Sequence, residues 1–169
     1  VRLEFPRLLR LGVLAFVLHN GEEALTMPRW LELRFPDAAR RLGLPDLRAP
    51  TTDRLYSGLI TVTVVPAVAV LLGAQGAAFS AGLYGCLFLY AVLFWNALVP
   101  HLASAVALRS YTPGVVTAAL VNLPYTVYLF HRALRDGQAT RSGLALVLVA
   151  AAVLYPLGML LLWAPASRG

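Results

Sequence analysis

Within a few turns of the N-terminus, an apolar run carries three ionisable residues in five positions: His19, Glu22 and Glu23. On a helix, at about 100° per residue, the two carboxylates fall about 300° and 400° from the histidine, so both flank its face. Two adjacent ionised glutamates beside an imidazole repel one another. The pattern therefore calls for a shared proton, an arginine from elsewhere in the chain, or a metal cation. Imidazole and carboxylate are ordinary ligands for zinc, iron or manganese, and His-x-x-Glu is the inward-facing Glu-x-x-His pair of metal-binding bundles in reverse. Gly21 leaves room for a close neighbour. The alternative places residues 19–23 at a membrane surface with solvated carboxylates, but Ala24-Leu25-Thr26-Met27 continues the apolar pattern beyond them.

A second polar pair lies in a long uncharged stretch, Trp95-Asn96-Ala97-Leu98-Val99-Pro100-His101. In a regular helix Asn96 and His101 stand about 500° apart, that is, about 140° off one another. A π-bulge or broken turn at Pro100 absorbs one residue and rotates His101 towards Asn96. His101 is the expected second imidazole ligand, with Asn96 beside it. His131 abuts Arg132 and reads as interfacial, while Asn122, two residues before Pro124, reads as a hydrogen-bonding link between helices. Tyr90, Tyr125 and Tyr128 read as packing, and Trp30 and Trp163 as interface anchors.

The elements that must position these residues are membrane helices. Of 169 residues, 59% are apolar and 13% charged, and the 54 residues from Leu55 to Leu108 contain no Asp, Glu, Lys or Arg. A soluble domain needs a wetted face that no such run supplies. A nucleic-acid-binding module and a disordered tail are excluded with it. All 14 basic residues are Arg, concentrated between the apolar runs where lipid headgroups and phosphates lie. The single Cys86 allows neither an internal disulfide nor a cysteine-based zinc site. Arg2, Arg7 and Arg10 before apolar Leu11–Leu18 mimic a signal peptide, but His19–Glu23 stands where small cleavage-site residues belong.

The expected fold is all-α, a polytopic membrane helix bundle forming one domain over residues 1–169. About five spans are read, near 6–27, 55–72, 77–108, 113–131 and 142–163, with Pro100 kinking the third. Residues 28–54, broken by four prolines, form an interfacial segment, with a short helix from Pro36 to Leu42 stopped by Gly43. The uncharged Gly73-Ala74-Gln75-Gly76 linker predicts a tight hairpin between the second and third spans.

His19-Asn20-Gly21-Glu22-Glu23 resembles the signature of the HxxEE-domain family of small bacterial membrane proteins. There a later Asn-x-x-x-His motif follows, and then an Arg-x-Tyr-Ser-Pro-Gly-like turn. Here Asn96 and His101 come next, then Arg109-Ser110-Tyr111-Thr112-Pro113-Gly114, in the same order. The likeness runs over about residues 19–124, with one departure: Asn96 and His101 are separated by four residues instead of three. The resemblance implies a metal-dependent enzyme in the bacterial inner membrane. Arg109 and Tyr111 would bind a lipid phosphate or carboxylate, or else only close the turn.

The leading functional expectation is a membrane metalloenzyme, hydrolytic or oxidative, acting on a lipid-soluble substrate. His19, Glu22, Glu23 and His101 would hold a divalent metal, zinc or iron, with Glu22 or Glu23 also the candidate general base. Asn96, Arg109, Tyr111 and Asn122 would support the site or contact substrate. A metal-free alternative lets the glutamates share a proton in an isomerase or cyclase of a sterol- or isoprenoid-like substrate. Transport, or a non-catalytic membrane role, is the third reading, with a homo-oligomer as the route to a transmembrane path. The expected partners are the lipid bilayer and a lipid-soluble small molecule, with no nucleic acid.

Overall fold

The computed structural model describes residues 3–44 and 46–163, with side chains to residue 159. Every regular element among them is helical: α1 (Phe5–Leu11), α2 (Val13–Leu33), α3 (Phe35–Arg41), α4 (Thr52–Gly73), α5 (Ala81–Asn96), α6 (Ser104–Leu108), α7 (Val115–Thr117), α8 (Leu123–Arg135) and α9 (Arg141–Trp163). Two π-helical turns are built into the series, Ala97–Ala103 between α5 and α6 and Ala118–Asn122 between α7 and α8.

Three helices are long and apolar enough to cross a membrane: Thr52–Gly73, the continuous run Ala81–Leu108, and Arg141–Met159. The expected first and fourth spans are helical but fall short of that standard. Gly12 divides the first into α1 and α2, and Glu22, Glu23, Arg29 and Glu32 dilute α2. The fourth carries Asn122 and His131, and its helix α8 runs on through Arg132 and Arg135. The helices that fall short include those carrying His19, Glu22, Glu23 and Asn122, because polar site residues lower the hydropathy by which a span is read. Leu72, Val106, Leu120 and Leu146 each expose at least 70% of their surface, an outer apolar face that water would penalise and lipid would not.

α5 runs through the centre, packed on α4, α8 and α9, with Leu83, Cys86, Leu87 and Tyr90 almost fully buried. The α4–α5 hairpin forms as expected. Gly73 and Gly82 let the two backbones approach: a Cβ on Gly73 would meet Cys86 Sγ at 2.8 Å and the Gly82 carbonyl oxygen at 3.0 Å. Gly12 serves a similar end, since a Cβ there would lie 2.4 Å from the hydroxyls of both Tyr90 and Tyr125. Those hydroxyls donate to the Leu9 and Leu8 carbonyls at the break. Tyr90 and Tyr125 are thus packed, as read from sequence, with a specific polar task added.

Pro28 does not end the first long helix; α2 continues through it to Leu33. Proline removes the N–H that would bond the carbonyl four residues back, here that of Ala24. Tyr56 of α4 donates its hydroxyl to that carbonyl at 3.4 Å, so the proline leaves no orphaned acceptor. The short surface helix appears as α3, and Gly43 ends it at φ +74°. Arg2, Pro45 and the side chain of Trp163, read as an anchor, lie outside the described residues or side chains.

Candidate metal centre

The first π-helical turn brings the second polar pair to the first. Its i→i+5 pairing sets residues five apart on one face, so Asn96 and His101 both point at His19. Their side-chain nitrogens lie 3.5 Å (Asn96 Nδ2) and 3.1 Å (His101 Nε2) from His19 Nε2. His101 Nε2 is also 3.5 Å from Glu23 Oε1. One donor atom from each of His19, Glu23 and His101 falls within 4.8 Å of the others, and all three residues are buried.

The same geometry explains the unusual spacing. An Asn-x-x-x-His pair shares a face on an α-helix, and one extra residue is absorbed when that helix takes a π turn. Deleting Val99, whose side chain is exposed, should therefore restore an α-helical turn and keep Asn96 and His101 on one face. Retained helicity by circular dichroism, with cation affinity within a few-fold of wild type, is the expected result.

Outer hydrogen bonds fix the imidazoles. His101 Nδ1 lies 2.7 Å from the Pro113 carbonyl, an acceptor only, so Nδ1 carries the proton and Nε2 the lone pair. His19 Nδ1 lies 2.9 Å from Thr117 Oγ1, which is itself 2.6 Å from Glu22 Oε2. The hydroxyl gives its proton to the carboxylate and accepts from His19 Nδ1–H, leaving His19 Nε2 unprotonated as well, with the Asn96 amide nitrogen 3.5 Å away. Two nitrogen lone pairs then face each other inside the protein.

Glu22, expected among the ligands, is turned elsewhere. Its Oε1 accepts from Tyr111 at 2.8 Å and from the Val116 N–H at 3.3 Å, and its Oε2 accepts from the Thr117 N–H at 2.8 Å. Its charge is thus compensated by the N–H groups that open α7, which separates the roles of two adjacent glutamates. Tyr111 is held above the ordinary tyrosine range, chiefly by desolvation, and stays a proton donor to Glu22.

Gly114 is the conformational key. It adopts φ +80°, and a Cβ there would meet His101 Cε1 at 2.7 Å and His19 Cε1 at 2.9 Å. The Thr112-Pro113-Gly114 turn therefore closes over both rings and supplies the carbonyl that orients one of them.

Of the other expected residues, Arg109 is exposed at the left-handed end of α6 (φ 49°) and lies outside the cluster. It terminates a helix. Asn122 is fully buried in the second π-helical turn, and neither amide atom has a hydrogen-bond partner among the described residues. His131 is exposed. Two participants were not read from sequence: Thr117 and the Pro113 carbonyl. A threonine in an apolar helix carries no signal of its own; only the fold sets it between Glu22 and His19. Thr117→Val keeps the shape, removes this link, and should weaken cation binding about 10–100-fold, read by competitive zinc titration.

No curated protein and no solved structure matches the chain. Residues 10–129 match the model of a family described as a protein of unknown function with HXXEE motif, and they contain His19, Glu22, Glu23, Asn96, His101 and the Thr112-Pro113-Gly114 turn. The chain belongs to the HXXEE family.

Proposed function

We propose that this protein binds a divalent metal ion, zinc or iron, inside the membrane and acts as an enzyme on a lipid-soluble substrate. His19, His101 and Glu23 are the protein ligands. The reading rests on one observation: two imidazole Nε2 atoms, each left unprotonated by its ring's other hydrogen bond, face one another at 3.1 Å. Without a cation between them those lone pairs repel. Two nitrogens each about 2.0–2.1 Å from a common ion, at an angle of about 90–110°, stand about 2.8–3.4 Å apart, and the observed separation lies in that range.

The surroundings fit a cation in a second way. Asn96 Oδ1 is buried with no hydrogen-bond partner among the described residues, although the same amide group reaches His19 Nε2. An orphaned buried oxygen is costly, and a half-turn of the amide makes it a further oxygen donor. A donor set of two imidazoles, a carboxylate and an amide oxygen suits zinc or non-haem iron. Such an ion would supply Lewis-acid or redox chemistry. The chain's own residues do the rest: Glu22 and Thr117 hold His19, Pro113 holds His101, and Glu23 supplies the buried carboxylate. Apolar residues exposed on both sides, such as Leu18 and Leu25 on α2 and Leu120 near Asn122, support α1–α2 and α7–α8 as further crossings, five in all, and a substrate that arrives from lipid.

Elemental analysis of detergent-purified protein tests the reading. Wild type should carry about one equivalent of zinc, iron or manganese, and His19→Ala and Glu23→Ala should carry none. A wild-type content near zero, in protein never exposed to chelator, overturns it in favour of a proton shared between His19 and His101.

A further inference from the structure

At the opposite end of α8 from the metal centre, the turn into α9 forms a groove of about 340 Å³ lined by His131, Leu134, Arg135, Ala139 and Arg141. Three of the five are basic and none is acidic. The acid in this turn, Asp136, is engaged by Arg132, whose Nε reaches Asp136 Oδ2 at 2.7 Å. Arg135 and Arg141 have no hydrogen bond or ion pair among the described residues. No described residue neutralises their charges.

The groove is also well built. Gly137 turns the chain at φ +65°, and the Gln138 and Ala139 N–H groups both bond the Ala133 carbonyl. Phe79 N–H bonds the Gln138 carbonyl, and Thr140 caps α9 through the Gly143 N–H at 3.0 Å. Arg141 opens the apolar span Arg141–Met159, so the three basic groups lie where hydrocarbon gives way to headgroups. Arg132 Nη2 bonds the Leu3 carbonyl at 2.9 Å, which sets α1 beside this turn. At that same end an apolar groove of about 440 Å³, formed by Leu3, Leu11, Leu14 and Leu71 with Arg7 and Arg10 at its margin, offers a bed for acyl chains.

We propose that His131, Arg135 and Arg141 form a binding site for the phosphate of an anionic phospholipid. The forked guanidinium groups match phosphate oxygens, the imidazole adds a donor, and the first turn of α9 adds the positive end of its dipole. This site is independent of the metal reading.

Native mass spectrometry of the full chain in detergent, with phosphatidylglycerol and phosphatidylcholine of equal chain length, tests it. Wild type should retain phosphatidylglycerol preferentially. Each juxtamembrane arginine contributes about fivefold in affinity for an anionic lipid. Arg135→Gln should therefore lower phosphatidylglycerol affinity about fivefold, and Arg135→Gln/Arg141→Gln about 25-fold. The charge-matched Arg41→Gln/Arg48→Gln protein, altered at the other end of the bundle, should change less than twofold, and metal content should be unchanged in every variant. Equal retention of the two lipids, or equal losses in the two double variants, overturns the site. Displacement of the lipid by millimolar inorganic phosphate would mean that the groove takes free phosphate, and overturns the lipid assignment.

Discussion

Glu23→Gln should abolish cation binding, whereas Glu22→Gln should keep it at about 10–100-fold lower affinity. The two side chains are adjacent in sequence and equal in chemistry, but they face different partners. Glu23 Oε1 lies 3.5 Å from His101 Nε2, within the buried donor set. Replacing it removes the only negative charge in that set and leaves a cation facing neutral donors in a low-dielectric interior, where an uncompensated charge is costly. Glu22 instead accepts the Thr117 hydroxyl and two N–H groups from the start of α7. Glutamine there retains one accepting oxygen and loses the charge that draws the Thr117 proton away from His19. Cobalt titration of detergent-solubilised protein reads both variants, through affinity and through the visible spectrum of the bound ion. Equal losses would mean that both carboxylates bind the ion, and that Glu22 leaves α7 to do so.

The second large effect is expected from a residue with no side chain. Gly114→Ala forces a Cβ to within 3 Å of both imidazoles while holding a left-handed backbone. The conformation alone costs about 1–2 kcal/mol for a non-glycine residue. The steric conflict has no flexible side-chain end to absorb it, because the atoms met are ring atoms of His19 and His101. The turn must move or the rings must rotate, and either outcome removes the Pro113 hydrogen bond that orients His101. Metal content should fall to background, and the unfolding midpoint should drop by several degrees. By contrast Gly21→Ala, whose Cβ would meet nothing within 4 Å, should leave both unchanged. A Gly114→Ala protein that retains its metal would separate the turn from the site.

Much of this arrangement was legible in the residues. Three ionisable groups within five positions of an apolar run mark a site because membrane burial makes each of them costly. The offset between Asn96 and His101 already called for a π-bulge or a broken turn at Pro100, and the structure has the π-helical turn. The membrane class followed from 54 uncharged residues, a property of composition that folding cannot alter. Of the five spans expected, three are long and apolar enough to cross a membrane by themselves, and the other two form as shorter or more polar helices. Length and hydrophobicity locate a helix but do not register a break at Gly12, where two tyrosine hydroxyls from distant helices add hydrogen bonds to the Leu8 and Leu9 carbonyls.

What sequence determined by itself was which residues are costly to bury, and hence that they must find one another: His19, Glu22, Glu23, Asn96 and His101. What the tertiary structure alone decided was the division of labour among them. Local periodicity places Glu22 and Glu23 on neighbouring faces of one helix but says nothing of what stands opposite each face. Opposite Glu22 stand Tyr111 and the first N–H groups of α7, about 90 residues away in the chain; opposite Glu23 stands His101. The same holds for Thr117 and Pro113, ordinary residues whose atoms set which nitrogen of each imidazole is bare. A hydrogen bond acts only over about 3 Å. Contacts so short, made between segments so far apart in the chain, are settled by how the helices pack.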